Sequence, residues 1–197
     1  MEEIQMKMKQ LTASMIALVM SMSLPMTTYA ADWYLEDGDV TVNADNSEQT
    51  VTQGGTSTQD DAPVITQRDS SAETSNTITI NTSENATANV TIKDINIKSS
   101  NDAIDVNGSS SANITLEGDN KIFSETGSAL HISDGNVTIN GSGSLKAEIQ
   151  DEPFGYNHNA KIGSHENEGM SGSIHITGDA TVKTDDNIAP NCGGDGA

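Results

Sequence analysis

The chain has 197 residues, with 9 Lys and Arg against 29 Asp and Glu, a net charge of −20, and only one Trp, three Tyr and two Phe. Arg68 is the sole arginine and the sequence shows no run of basic residues, so nucleic acid and anionic membrane surfaces are expected to be poor partners. Cys192 stands alone, so no intrachain disulfide can brace the fold, and stability has to come from a packed core or from metal.

Residues 1–30 read as a signal peptide. Lys7 and Lys9 precede an apolar stretch from Met15 to Leu24, and Thr28-Tyr29-Ala30 ahead of Ala31 places small residues where a signal peptidase needs them. The acidic "MEEIQ" is foreign to such a leader and points to a start at Met6 or Met8. A membrane anchor is the competing reading, but the apolar run is too short to span a bilayer and no stop-transfer pattern follows. The expectation is a secreted protein, extracellular or at a bacterial cell surface, monomeric, with no transmembrane segment after cleavage.

Residues 31–75 are expected to form an N-terminal cap and a loop-rich first coil. Trp33, Tyr34 and Leu35 can cover the first rung, while the Ser/Thr/Gln/Asp-rich stretch 45–75 looks irregular. From Asp39 onward helical periodicity is absent. Short runs such as "DVTV" (39–42), "NTITI" (76–80), "NVTIKDINI" (89–97), "AIDV" (103–106) and "ALHI" (129–132) place an aliphatic or β-branched residue at every second position. Gly, Asn, Asp or Ser bounds each run, which predicts an all-β chain.

One phrase recurs. "SANITLEGDNKI" (111–122) returns as "DGNVTINGSGSL" (134–145) and "SGSIHITGDATV" (171–182), with a shorter copy in "TANVTIKDINI" (87–97). The first step is 23 residues, and the next is longer by the stretch "DEPFGYNHNAKIGS". Repeats of this length with Gly and Asn corners read as a solenoid: a right-handed parallel β-helix over 76–197, with coils of about 23 residues, cut mid-repeat at its C-terminus. Coils stacked about 4.8 Å apart would align Val90, Ile114, Val137 and Ile174 in one interior ladder. Ile92, Leu116, Ile139 and Ile176 would form a second, and Ile97, Ile122, Leu145 and Val182 a third. Gly118, Gly141 and Gly178 would share a corner. The alternative is a β-sandwich, which also has short, regularly spaced strands but does not require the phrase to recur.

The stretch "NAKIGSHENEGMSGSIHITGDATVKT" (159–184) resembles the glycine-rich repeats of large secreted bacterial surface proteins, and the closing "GGDGA" resembles the start of another such turn. Residues 87–147 are similar to bacterial carbohydrate-binding-domain-containing, adhesin-like β-helix proteins. The resemblance implies a pectate-lyase-like right-handed β-helix, exported and often surface-associated, that binds polysaccharide and sometimes calcium. Glycines are fewer here than in that family, and the insertion after residue 150 is a departure from it.

For chemistry, "SNDAIDV" (100–106) is the most suggestive stretch. Asp102 and Asp105, with Asp119 one coil later, offer hard oxygen donors for calcium, the one cofactor the sequence suggests and not a required one. The same residues can equally be turn formers bonding their own backbone. Catalysis is not expected. The paired carboxylates of an inverting hydrolase and the basic residue of a lyase are not recognisable, and the lysines fall mostly at outward positions. His131, His158, His165 and His175 have no metal-ligating spacing, and His131 and His175 read as surface residues. Phe154 and Tyr156 in the insertion can stack on sugar rings or pin the loop to the barrel. The resulting expectation is a non-catalytic exported module that binds cell-wall, plant or mucin glycan or acts in adhesion. The alternatives are a structural stalk of a larger surface protein and a calcium-dependent polysaccharide lyase.

Overall fold

The computed structural model describes residues 30–150, 159–165, 168 and 172–184. The expected leader, Phe154, Tyr156, His158 and Cys192 lie outside the described residues.

The chain enters through β1 (Asp32–Tyr34), a short 3-10 turn (Leu35–Asp37) and β2 (Val40–Ala44). Residues 45–75, irregular by sequence, hold three strands: β3 (Gln49–Gln53), β4 (Thr56–Gln59) and β5 (Val64–Thr66). From there every strand runs parallel to its neighbour. They are β6 (Ile78–Thr82), β7 (Thr87–Lys93), β8 (Asn96–Ser99), β9 (Ile104–Asn107), β10 (Ser111–Glu117), β11 (Asp119–Ser124) and β12 (Leu130–Ile132). Then come β13 (Asn136–Gly141), β14 (Ser144–Ile149), β15 (Ile162–Gly163), β16 (Ser173–Ile176) and β17 (Thr181–Thr184).

Among the described residues these strands form three sheets. The first has the order β1-β5-β7-β10-β13-β16, the second β17-β14-β11-β8, and the third β15-β12-β9-β6-β2-β3-β4. Strands β7, β8 and β9 thus belong to sheets one, two and three, and β10–β12 and β13–β15 repeat the order. The fold is all-β with parallel sheets. The antiparallel pairing a sandwich is built from occurs, among the described residues, only where β3 joins β2 and β4.

Alternation creates the interior. In sheet three Val40, Ile78, Ile104 and Leu130 sit in register, all with no exposed surface. Burying each such side chain is worth about 1.5–3 kcal/mol, and this core needs no large aromatics. At the N-terminal edge Leu35 is fully buried, and Trp33 packs against the core while its indole N–H donates to Asp60 at 2.8 Å.

In register the ladders differ from the expected ones at a single step, and Ile176, expected inside, is 49% exposed on the edge strand β16. Ile114 pairs with Val90 on one side, as expected, but with Ile139 on the other, and Val137 pairs with Ala112. In sheet two Ile97 and Ile122 are aligned, but Ile122 then faces Ala147, while Leu145 faces Asn120 and Val182. The step from Ser111 to its partner Asn136 is therefore 25 residues rather than 23. A slip of two leaves every side chain on its own face, so the apolar pattern cannot detect it. The corner decides. Leu116 pairs with Gly141, whose φ is +104°, and Leu116 carbonyl accepts from both Ser142 (3.2 Å) and Gly143 (2.9 Å). A Cβ at Gly141 would lie 2.3 Å from that carbonyl oxygen, so only glycine permits this turn. Gly118 sits at the same corner, between β10 and β11, but two positions off the column of Gly141 and Gly178, with Asp94 on one side and Gly143 on the other.

Candidate functional site

Two surfaces concentrate chemistry, on sheets two and three.

On sheet two the outward positions carry Lys121, Lys146 and Lys183 in direct register, with Lys98, Phe123 and Glu148 in the neighbouring column. Lysine is thus gathered on one face of a strongly acidic chain, with Asp119, Glu73 and Glu148 among its neighbours there. One wall is the segment 67–75. Thr74 bridges to Ile97, buried Gln67 accepts the Asn96 N–H and donates to Ala72 carbonyl (3.2 Å), and Arg68 forks onto Asp37 at 2.9 and 2.7 Å. Ser70 and Ser71 of that wall and the three registered lysines line a cleft of about 450 Å³, and a second cleft of about 270 Å³ shares Lys121 and includes Phe123. Lys98 lies 5.7 Å above the Phe123 ring and 4.0 Å from Glu73, while Lys146 pairs with Glu148 at 2.7 Å. Among the described residues Lys121 and Lys183 have no ion-pair partner.

Under this face Asn120 is fully buried at a position where the next strand has Leu145. Its carbonyl accepts the Ile95 N–H at 3.3 Å, and its amide donates to Glu117 and Ser144 carbonyls, both at 3.0 Å. A polar side chain in an aliphatic stack is stable only when so satisfied.

On sheet three, strand register and the residues that follow β15 build a carboxylate–imidazole cluster. Asp105 and His131 are direct partners on β9 and β12, and Asp105 Oδ1 lies 2.7 Å from His131 Nδ1. His131 Nε2 faces Glu168 Oε2 at 2.9 Å. His165 stacks on His131, with ring centres 3.9 Å apart and planes 12° from parallel. Its Nε2 lies 2.7 Å from Asp102 Oδ1, which also accepts the Ser128 N–H at 2.7 Å, and its Nδ1 is 3.7 Å from Glu168. A side chain on Gly127 would collide with Asp102, at 2.4 Å from Oδ1, so the bare backbone makes room for that carboxylate.

His131 is only 6% exposed. Burial works against its charge, but hydrogen bonds to Asp105 and Glu168 outweigh it and raise the imidazole to about 9. Burial also opposes charge on Asp105. The hydrogen bonds from His131 and Asn107 prevail and hold that carboxyl below the usual range. Glu168 is held low chiefly by its hydrogen bond to His131.

The sequence reading thus needs correction at His131, which is a buried member of a cluster and not a surface residue; His175 is exposed. Asp102 and Asp105 flank buried Ala103 and Ile104 and do join one site. Asp119 does not: it stands on sheet two, where it accepts from Ser144 Oγ at 2.8 Å. His165 and Glu168 are 34 and 37 residues beyond His131, a separation that no spacing rule reports.

Comparison with family models, curated proteins and solved structures finds no match to this chain. Its function has to be argued from the two surfaces.

Proposed function

We propose that the chain is an exported right-handed parallel β-helix module that binds an extended acidic polysaccharide along sheet two, without catalysis. The cyclic order of strands through three parallel sheets supports the solenoid reading. The observation that carries the binding is the registered ladder Lys121–Lys146–Lys183, held in a chain of net charge −20. Cations repeated about every 4.8 Å along a groove match a linear polymer with a charge on each sugar better than a compact ligand. Phe123 beside them offers an apolar face for a sugar ring.

The test is retention of the secreted chain on pectate, mucin and cellulose, with the supernatant assayed for released sugar. Retention on the acidic materials should be lost as salt approaches about 0.5–1 M, because exposed charges are screened within a few ångströms there. Lys121→Gln/Lys146→Gln/Lys183→Gln should abolish it, with no sugar released at any point. Equal retention on cellulose, or retention by the triple variant, would refute the proposal. No retention on any material would leave a structural stalk, and released unsaturated sugar would mark a lyase.

A further inference from the structure

We propose that Asp102, His131 and His165, joined by Glu168, form a site for one divalent transition-metal ion of the zinc class. A carboxylate oxygen of Asp102 and one nitrogen from each imidazole all lie within 4.8 Å of one another. Tetrahedral zinc with bonds of about 2.0–2.2 Å keeps its ligands about 3.4 Å apart, so a turn of the His165 ring out of its stack on His131, with a short inward movement, closes the set. His165, with a quarter of its side chain exposed, has room to make that movement.

The donor chemistry selects the ion. Two imidazoles with carboxylates suit zinc, nickel, copper or cobalt, whereas calcium takes six to eight oxygens. The surroundings have the layout that metal sites use. Asp105 holds His131 at Nδ1 and turns Nε2 toward Glu168, and Asp105 is itself fixed by the Asn107 amide at 2.7 Å. Three carboxylates and two stacked imidazoles converge in this one place. A dication relieves the repulsion among the carboxylates and gives the facing rings a common partner.

The placement also gives the ion a structural consequence. Asp102, Asp105 and His131 come from stacked strands or the turns before them, while His165 and Glu168 follow β15, the next strand of sheet three. A bound ion would tie His165 and Glu168 to the two preceding windings.

The experiment titrates the chelator-stripped chain with zinc chloride by calorimetry and, separately, with cobalt(II), whose visible absorption reports nitrogen–oxygen coordination. Expected are one zinc per chain, a rise in melting temperature with zinc, and no displacement by millimolar calcium. His165→Ala and Glu168→Gln lie outside every registered strand and leave the strand pairing alone. His165→Ala should weaken zinc by well over tenfold, and Asp105→Asn, which alters only the orienting contact, by about 10–100-fold. The proposal is overturned if zinc binds more weakly than about 10 μM, if His165→Ala binds as tightly as the parent, or if calcium competes on equal terms. Zinc binding unchanged in both the His165 and the Glu168 variant would place the ion elsewhere and overturn it too.

Discussion

Asn120 offers the sharpest test of what holds the stack together. It occupies an aliphatic position and makes three hydrogen bonds, to Ile95, Glu117 and Ser144 on its own and the two adjoining turns of chain. At about 1 kcal/mol net for each bond, and more where a buried partner is left unsatisfied, Asn120→Ala should cost about 3–4 kcal/mol. The informative control is Asn120→Leu. Leucine is the residue found at the registered position one strand on, at Leu145, so it restores apolar contact but no hydrogen bond. If polar satisfaction is what counts, Leu should recover less than half of the loss. Urea unfolding followed by far-ultraviolet circular dichroism gives both values, with the slope checked for constancy. Parent-like stability of Asn120→Leu, within about 0.5 kcal/mol, would refute the reasoning, since it would mean that these buried backbone groups carry no appreciable penalty. Because Lys121 follows Asn120 directly, loss of the corner should also weaken retention on pectate.

Further outcomes follow from the same geometry. In metal-free protein, His131 has a folded pKa of about 9, above its ordinary 6.5, so the stability it contributes is complete below pH 6.5 and lost as pH rises through 9. Urea midpoints in chelator should therefore fall across that window for the parent and stay flat for His131→Gln; a flat parent curve would contradict the hydrogen-bonded imidazolium. Asp105 and Glu168, both lowered, act with the opposite sign: their contributions are present above the ordinary carboxylate range and are lost on acidification. Gly141→Ala should be far costlier than Gly54→Ala, although both glycines have positive φ. At Gly54 nothing lies within 4 Å of the added carbon, leaving only the backbone term of about 1–2 kcal/mol, whereas at Gly141 the carbon meets the Leu116 carbonyl at 2.3 Å. Equal melting temperatures for the two variants would argue against the Leu116–Gly141 register.

The all-β character, most inward positions from β6 onward and most of the Gly and Asn corners are legible in the chain's own pattern. The reason is local: alternation of period two and glycine or asparagine at a bend are consequences of backbone sterics and of burial on one side. Val90 over Ile114 and Ile97 beside Ile122 were legible for that reason. The step from Ile114 to Ile139 was not, because a two-residue slip keeps the same face inward and costs nothing in the pattern. Strands β3 and β4 were missed for the converse reason: polar Gln and Thr fill them, and β4 is exposed along its whole length, so no alternation marks it.

The two surfaces arise from long-range register. Lys121, Lys146 and Lys183 each look like an ordinary solvent-facing lysine, and they become a ladder only when parallel register stacks them. The Asp102–His131–His165–Glu168 cluster joins residues from separate windings, and nothing in the spacing of His131 and His165 announces that their rings will stack. Local pattern fixes which side of a strand a residue occupies. Which residues become neighbours across windings depends on the length of every intervening turn, a sum over the whole coil that no single stretch of sequence contains.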